Sequence, residues 1–360
     1  MQRVAVRILH PASSPAGGPL ERALSDARRA NADRLVDLFR SAGADHIEIV
    51  TGPPEAGSFG ARLRGLVGGL PSGAGAAGLI VLGSGSIPLA ARRDAADFAA
   101  VAGSGERRAL TNNRYSADVV AIGAAAILAS VPDLPSDNAL PRWLEDEAGF
   151  EVQDLARRWR LAVDLDSPLD VLVAERVRAG LPTAPAADVD VRGVLESIDQ
   201  IRAVAADPSA ELIVAGRTSS ATLRWLERHT ASRTRALIEE RGLRAVGRPR
   251  DERAQRPSRS VLGLVLDERG PSALGALLAE LGDAAIVDSR VLLAHRLGAD
   301  ESGWPTPEDR FASDLLLADA IRDPWLRELT ASARDSAIPV LLGGHTLVGP
   351  GVRTLLGRRR

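Results

Sequence analysis

Two carboxylates one residue apart, Asp164 and Asp166, stand in residues 160–174, RLAVDLDSPLDVLVA. Leu161, Val163 and Leu165 alternate with Ala162, Asp164 and Asp166, which predicts a short strand. Ser167-Pro168 ends it, and a helix starts at Leu169-Asp170 with Ser167 as its cap and Pro168 at its first position. Alternate residues of a strand share a face, so both acids point one way and Leu165 the other. A strand end that delivers two carboxylates just before a helix can hold a divalent cation. Acids that only cap and solvate a turn fit the same residues.

Four more clusters could do chemistry. Asn112-Asn113-Arg114-Tyr115-Ser116 is dense in groups that recognise phosphate or sugar, and it contains the only Tyr of the chain. Asp118 follows and can turn toward the same cleft; a turn that uses Asn for its backbone tolerance is the other reading. Gly83-Ser84-Gly85-Ser86 follows an apolar run but lacks the third Gly and the later acid of a dinucleotide fingerprint. Gly216-Arg217-Thr218-Ser219 lies between a predicted strand and a helix, where backbone N–H groups, hydroxyls and Arg217 suit an anion; a Ser/Thr cap beside a salt-bridged Arg suits it equally. Gly343-Gly344-His345-Thr346 ends the last predicted strand. The Gly pair allows close approach to a ligand, and His345 can move a proton or be structural. Downstream of Arg217, Arg224, Arg228, Arg233, Arg235, Arg241 and Arg244 alternate with Glu227, Glu239 and Glu240, which reads as a solvated ion-pair surface. In residues 304–311, WPTPEDRF, Arg310 is a candidate contact, as is nearby Asp314.

The elements that must position these groups alternate between strand and helix. Strands are predicted at 2–9, 47–50, 78–82 and 117–122, with helices at 20–42, 59–70 and 92–102. Asn31 is the one polar interruption on the apolar face of the 20–42 helix. The uninterrupted run 78–82, GLIVL, suits a sheet covered on both faces. Residues 180–190, GLPTAPAADVD, read as a linker. Beyond it, strands are expected at 211–215, 260–266, 284–287 and 338–342, with helices at 191–206, 221–230, 271–281, 313–322 and 324–334. The expected class is α/β: a doubly wound, mostly parallel sheet over residues 1–180, a linker at 181–190, and a second α/β domain over 191–360. Ligands of such sheets sit beyond the carboxyl ends of the strands.

Composition removes several chemistries. With no Cys there are no disulfides, thiolate metal sites or thiol nucleophiles. All 45 Lys and Arg positions are Arg, so no Lys can form a Schiff base or serve a Walker-type phosphate loop. A net charge of −2 argues against nucleic acid as partner. No apolar run is long enough to cross a bilayer and the start lacks a signal-peptide pattern, which fits the cytoplasm.

Three places carry a resemblance. Asp164-Leu165-Asp166-Ser167-Pro168-Leu169-Asp170 is similar to a closing D-x-D-[ST]-P-x-D-L motif, with Val171 in place of the last Leu. Residues 78–90, GLIVLGSGSIPLA, are similar to an apolar strand followed by D-x-P-L. Residues 111–122, TNNRYSADVVAI, stand where a substrate loop and the next strand belong. In this order they resemble the nucleotidyltransferases of the GT-A-like fold, especially the molybdopterin-guanylyltransferase and phospholactate-guanylyltransferase branch. The resemblance covers about residues 1–180; the rest of the chain resembles nothing named.

It implies a Mg²⁺-dependent transfer of a nucleotidyl group to a small phosphorylated or hydroxylated substrate. Asp164 and Asp166 would be the catalytic pair and the Mg²⁺ ligands; Ser84, Ser86, Asn112, Asn113, Arg114, Ser116 and Asp118 would line the substrate site. Two departures stand against it. The first loop, residues 11–18 (PASSPAGG), has neither Arg nor Lys, and the family's acid before Pro falls at or beside Ser86. The alternative is a non-catalytic nucleotide or sugar-phosphate binding or regulatory protein with a degenerate transferase domain. A further anion site in the second domain would use Gly216, Arg217, Thr218, Ser219, Gly343, Gly344 and His345. A homodimer is compatible with either reading.

Overall fold

The computed structural model describes residues 3–12, 16–52, 58–68, 78–177, 189–241 and 257–357. The chain divides into two compact units, Met1–Ser14 with Ser25–Leu165, and Pro15–Leu24 with Asp166–Arg360. The division falls at Leu165–Asp166 rather than at residue 180, and most of the expected linker lies outside the described residues.

The first unit contains β1 (Val4–Pro11), most of α1 (Pro19–Ser41), β2 (His46–Gly52), α2 (Phe59–Gly68), β3 (Gly78–Gly83), α3 (Arg92–Ala102), β4 (Arg108–Thr111), β5 (Val119–Ile122), α4 (Leu140–Asp146) and β6 (Glu151–Asp154). The strands form one sheet in the order β2-β1-β3-β5-β4-β6. β1 runs parallel to β2 and β3, β4 runs parallel to β6, and β5 is antiparallel to β3 and β4.

The alternation of side chains explains both faces. Val6, Ile8, Ile80, Leu82 and Val119 meet Leu35 and Phe39 of α1 and Phe98 of α3. Ala5, Leu79, Val81 and Val120 face the other way, toward Leu63 of α2 and Trp143 of α4. β3 is therefore apolar throughout, as a strand covered on both faces must be. Because β5 is reversed, its first residues meet the ends of β3 and β4: Leu82 pairs with Val119, and Thr111 with Val120. This brings the 83–86 loop, Asn112 and Asp118 to one edge.

One expected strand is absent. Residues 159–162 form a 3₁₀ turn, and the strand at 161–165 shrinks to one antiparallel bridge between Ser86 and Asp164. The alternating pattern was real, since Leu161, Val163 and Leu165 are buried, but it lines a crossing segment rather than a ladder.

The second unit contains α5 (Pro168–Glu175), α6 (Arg192–Ala206), β7 (Glu211–Gly216), α7 (Ser220–His229), β8 (Arg233–Ile238), α8 (Val261–Arg269), α9 (Leu274–Leu281), β9 (Ala284–Asp288), α10 (Ser289–Leu297), α11 (Pro307–Asp314), α12 (Pro324–Arg334), β10 (Val340–Gly343), α13 (His345–Val348) and α14 (Gly351–Leu356). α5 is buried along nearly its whole length and packs on α11 and α14, which draws it into this unit. The sheet is wholly parallel, in the order β10-β9-β7-β8. From β7 the chain goes through α7 to β8 on one side. It returns through α8 and α9 to β9 on the other side, so the order reverses between β7 and β9.

Three expectations change here. Residues 260–266 form α8 instead of a strand, because the Ser260 hydroxyl caps the helix by accepting from Gly263 N–H at 3.2 Å. The helix expected at 313–322 ends at Asp314 and starts at Pro307, capped by Thr306. The glycine-rich segment after β10 holds α13 and α14, where no helix was expected.

Candidate functional site

At the carboxyl edge of the first sheet, the 83–86 loop is held from three sides. Asn31 of α1 donates from Nδ2 to the carbonyl oxygens of Ser84 (2.8 Å) and Ser86 (3.0 Å). The polar interruption in the apolar face of α1 is thus the residue that fixes the loop. At the end of β1, His10 Nδ1 lies 3.0 Å from Ser84 Oγ. Burial, then the charges of Arg29 and Arg28, hold this imidazole below its ordinary value, so it is neutral at pH 7. Ser86 Oγ donates to the carbonyl of Asp118 at 3.1 Å.

Asp164 joins the same edge. Its bridge to Ser86 is secured by Leu165 N–H donating to Gly85 O at 3.0 Å, and its own Oδ1 accepts from Leu165 N–H at 3.0 Å. Ser86 therefore touches the backbone of both Asp118 and Asp164.

The 112–118 loop divides by role. Asn112 is buried; it donates from Nδ2 to Asp118 Oδ2 (2.7 Å) and Leu161 O (2.9 Å), and its Oδ1 accepts from Asp118 N–H at 3.0 Å. Asn112 and Asp118 thus belong to the edge. Asn113 Oδ1 instead accepts from Tyr115 N–H at 2.9 Å, Arg114 pairs with Glu145, and Tyr115 and Ser116 are exposed. The density of recognition groups there is partly turn chemistry.

Beside this edge, buried Asp94 collects Arg158 (2.8 Å) and Arg160 (2.5 Å). Burial pushes the Asp94 carboxyl up, but bonds from Arg160, Ala91 N–H and Arg158 outweigh it and hold the carboxyl below the usual carboxylate range. Their charges are spent on α3.

Asp166 falls in the second unit. Its Oδ2 lies 3.7 Å from His345 Nδ1, and its N–H donates to Asp170 Oδ2 at 3.2 Å. Asp170 also accepts from Ser167 Oγ at 2.8 Å; burial, then the neighbouring charge of Asp166, push its carboxyl up to about 8. Among the described residues no three His, Asp or Glu side chains group so as to hold a metal ion.

The strand ends of the second unit are closed by ion pairs. Arg217 donates from Nε (2.6 Å) and a terminal nitrogen (3.1 Å) to the two oxygens of Asp288. Gly216 permits this with φ +121°, and a methyl group there would lie 2.2 Å from Asp288 Cβ. Arg290 donates both terminal nitrogens to Asp314 at 2.6 Å, and Ser289 Oγ donates to Gly343 O at 3.3 Å. Ser219 caps α7 by accepting from Thr222 N–H at 3.2 Å. The charge of Arg217 is therefore neutralised, and Gly216-Arg217-Thr218-Ser219 works as a cap with a paired Arg. Gly344 leads into α13 without a side-chain cap. The buried hydroxyls of Thr218 and Thr346 have no hydrogen-bond partner.

Two of the other basic candidates are paired as well. Arg235 lies 2.9 Å from Glu211, His229 stacks on Trp225, and Arg310 donates to Glu301 at 2.8 Å beside Trp304. Arg244 lies outside the described residues. No helix among the described residues is long and apolar enough to cross a membrane.

No protein-family model matches the chain, and no curated protein or solved structure is similar to it.

Proposed function

We propose that the first unit is a nucleotidyltransferase-like domain that binds a nucleotide or another phosphorylated small molecule at the carboxyl edge of its sheet. One observation carries this reading. The 83–86 loop and the closing motif, far apart in sequence, meet through the bridge between Ser86 and Asp164. The sheet supports it by directing Asn112 and Asp118 to the same edge, where ligands of open α/β sheets bind.

A second reading, Mg²⁺-dependent nucleotidyl transfer, draws on the two acidic residues, Asp118 and Asp164, whose backbones meet Ser86 at this edge. Mg²⁺ is commonly held by one or two carboxylates together with substrate phosphates and water. Asp164 and Asp118 supply carboxylates of that kind; they form no cage of their own, and Asn112 already engages Asp118. When bound, Mg²⁺ would supply charge neutralisation at the phosphates. Asp164 and Asp118 would hold it, and Ser84 and Ser86 would shape the loop beneath the ligand. In the transfer, a substrate oxygen bonds to the nucleotide's α-phosphorus as the bond to pyrophosphate breaks.

The test is thermal unfolding against a panel of nucleoside triphosphates and sugar phosphates, with and without Mg²⁺. A ligand at about 100 times its Kd adds about 2.7 kcal/mol of stability. The expected result is a shift with at least one nucleotide, with its Mg²⁺-dependent part lost in Asp164→Asn. No shift with any nucleotide contradicts the binding reading; a Mg²⁺-independent shift leaves binding and removes transfer.

A further inference from the structure

α8 of the second unit reads VLGLVLDER and is apolar on two sides. Leu262, Gly263 and Leu266 are buried, and a methyl group on Gly263 would lie 2.6 Å from the His295 ring. At about 100° per residue, the opposite side carries Val261, Leu264 and Glu268. A surface helix ordinarily places polar side chains there. Instead Val261 is 56% exposed and Leu264 52%. Ile238, 43% exposed, ends β8 beside them, because the next residue, Glu239, accepts from Val261 N–H at 2.7 Å. Single exposed apolar side chains are ordinary. Here three of the six large ones left exposed among the described residues gather in one place, which marks a surface that something covers.

Charge indicates what covers it. Arg259 precedes the apolar strip and Glu268 ends it; both are exposed, and neither makes an ion pair among the described residues. The acids nearest Arg259 are turned onto α8 and its cap. Glu239 accepts from Ser260 Oγ (2.8 Å) and Val261 N–H, and Glu240 accepts from Arg259 N–H at 2.9 Å. Arg269 lies about 100° further round the helix than Glu268. Leu264 stands between the two charges, five residues after Arg259 and four before Glu268. Laid antiparallel on a copy of itself about Leu264, α8 brings each Arg259 to the level of the other copy's Glu268. Laid parallel, it would set Arg259 on Arg259 and Glu268 on Glu268. The antiparallel arrangement is a self-complementary two-fold contact.

We propose that the outer face of α8 is a docking surface for a second copy of this chain. The two helices pair antiparallel about Leu264, with Arg259 of each copy against Glu268 of the other. A stable interface ordinarily buries about 800 Å² on each partner. One short helix with Ile238 at its end offers less, so the dimer is weak and forms with rising concentration. The inference is independent of the binding reading of the first unit.

Sedimentation equilibrium of the full chain between about 1 and 300 µM, a range that spans weak association, tests this. The average mass should rise from 37.8 kDa toward twice that value. Leu264→Glu sets two like charges at the axis and should weaken association about tenfold or more. Arg259→Glu and Glu268→Arg should each weaken it about threefold to tenfold. An equimolar mixture of those two variants should associate about as well as wild type, because each mixed pair again sets a carboxylate against a guanidinium. If Leu264→Glu does not fold, the mixture decides. A wild-type chain that stays at 37.8 kDa across the range overturns the proposal. So does a dimer that a folded Leu264→Glu leaves unchanged, or a mixture that associates no better than its components.

Discussion

At the carboxyl edge of the first sheet, polar groups are joined mostly by hydrogen bonds between neutral partners: His10 to Ser84, Asn31 to two carbonyls, and Ser86 to a carbonyl. At the same edge of the second sheet, Arg217 and Arg290 are each locked bidentate on a buried Asp. Either edge could be expected to hold an anion, since open parallel sheets bind ligands there. The difference lies in what the charges already do. In the second unit each cation is neutralised by its own carboxylate, and an added phosphate would compete with Asp288 or Asp314. In the first unit the 83–86 loop is shaped by the uncharged amide of Asn31 and by His10 beside Ser84. Placement at strand ends nominates a site; the bookkeeping of charge decides between a ligand and a lock.

The largest expected effect breaks the lock. Arg290→Met leaves Asp314 buried without its partner and should cost roughly 3–5 kcal/mol in denaturant unfolding. The double variant Arg290→Met with Asp314→Leu should recover most of that loss, because it removes both charges together. A single variant as stable as wild type would show that the pair is not a structural lock.

Asp170 sharpens the comparison through pH. Its folded carboxyl is pushed up to about 8, above the ordinary 3.8, by burial and then by Asp166. A raised folded value means that the folded state holds the proton more tightly. Its stabilising contribution is full below about pH 4 and is lost as pH rises toward about 8. Asp170→Asn keeps an oxygen to accept from Ser167 and has no proton to lose. The variant should therefore be more stable than wild type at neutral pH, on the order of a few kcal/mol, and the gain should vanish near pH 4. Parallel stability–pH curves for the two proteins would refute this.

A smaller effect is expected in the first unit. Asn31→Ala leaves the Ser84 and Ser86 carbonyls without their side-chain donor and should cost about 1–3 kcal/mol. Its ligand affinity should fall as well, because the loop loses its support. An Asn31→Ala protein with wild-type stability and affinity would mean that the loop is fixed by other contacts.

Much of the scaffold was legible. The run GLIVL marked β3, and α3 and α12 fall at the residues their apolar spacing indicates. β4 and β6 were not legible. Four residues each, RALT and EVQD, they are too short and polar to signal a strand, and neighbouring strands define them. α8 was misread because Val261 to Leu266 is apolar without a visible period, and the cap at Ser260 decided the outcome. The sites divide in the same way. Asn31 was visible as a polar interruption, whereas its role needed the 83–86 loop. Asp288 neutralises Arg217 from another strand, and no local spacing can show a partner 71 residues away.

The central claim is that the ligand binds at the edge of the first sheet. Hydrogen–deuterium exchange of the full chain, with and without GTP and Mg²⁺, tests it most directly. The expected result is slowed exchange confined to the segments around Ser84–Ser86, Asn112–Asp118 and Asp164. Protection around Arg217–Ser219 and His345–Thr346 instead, or none anywhere, would contradict it.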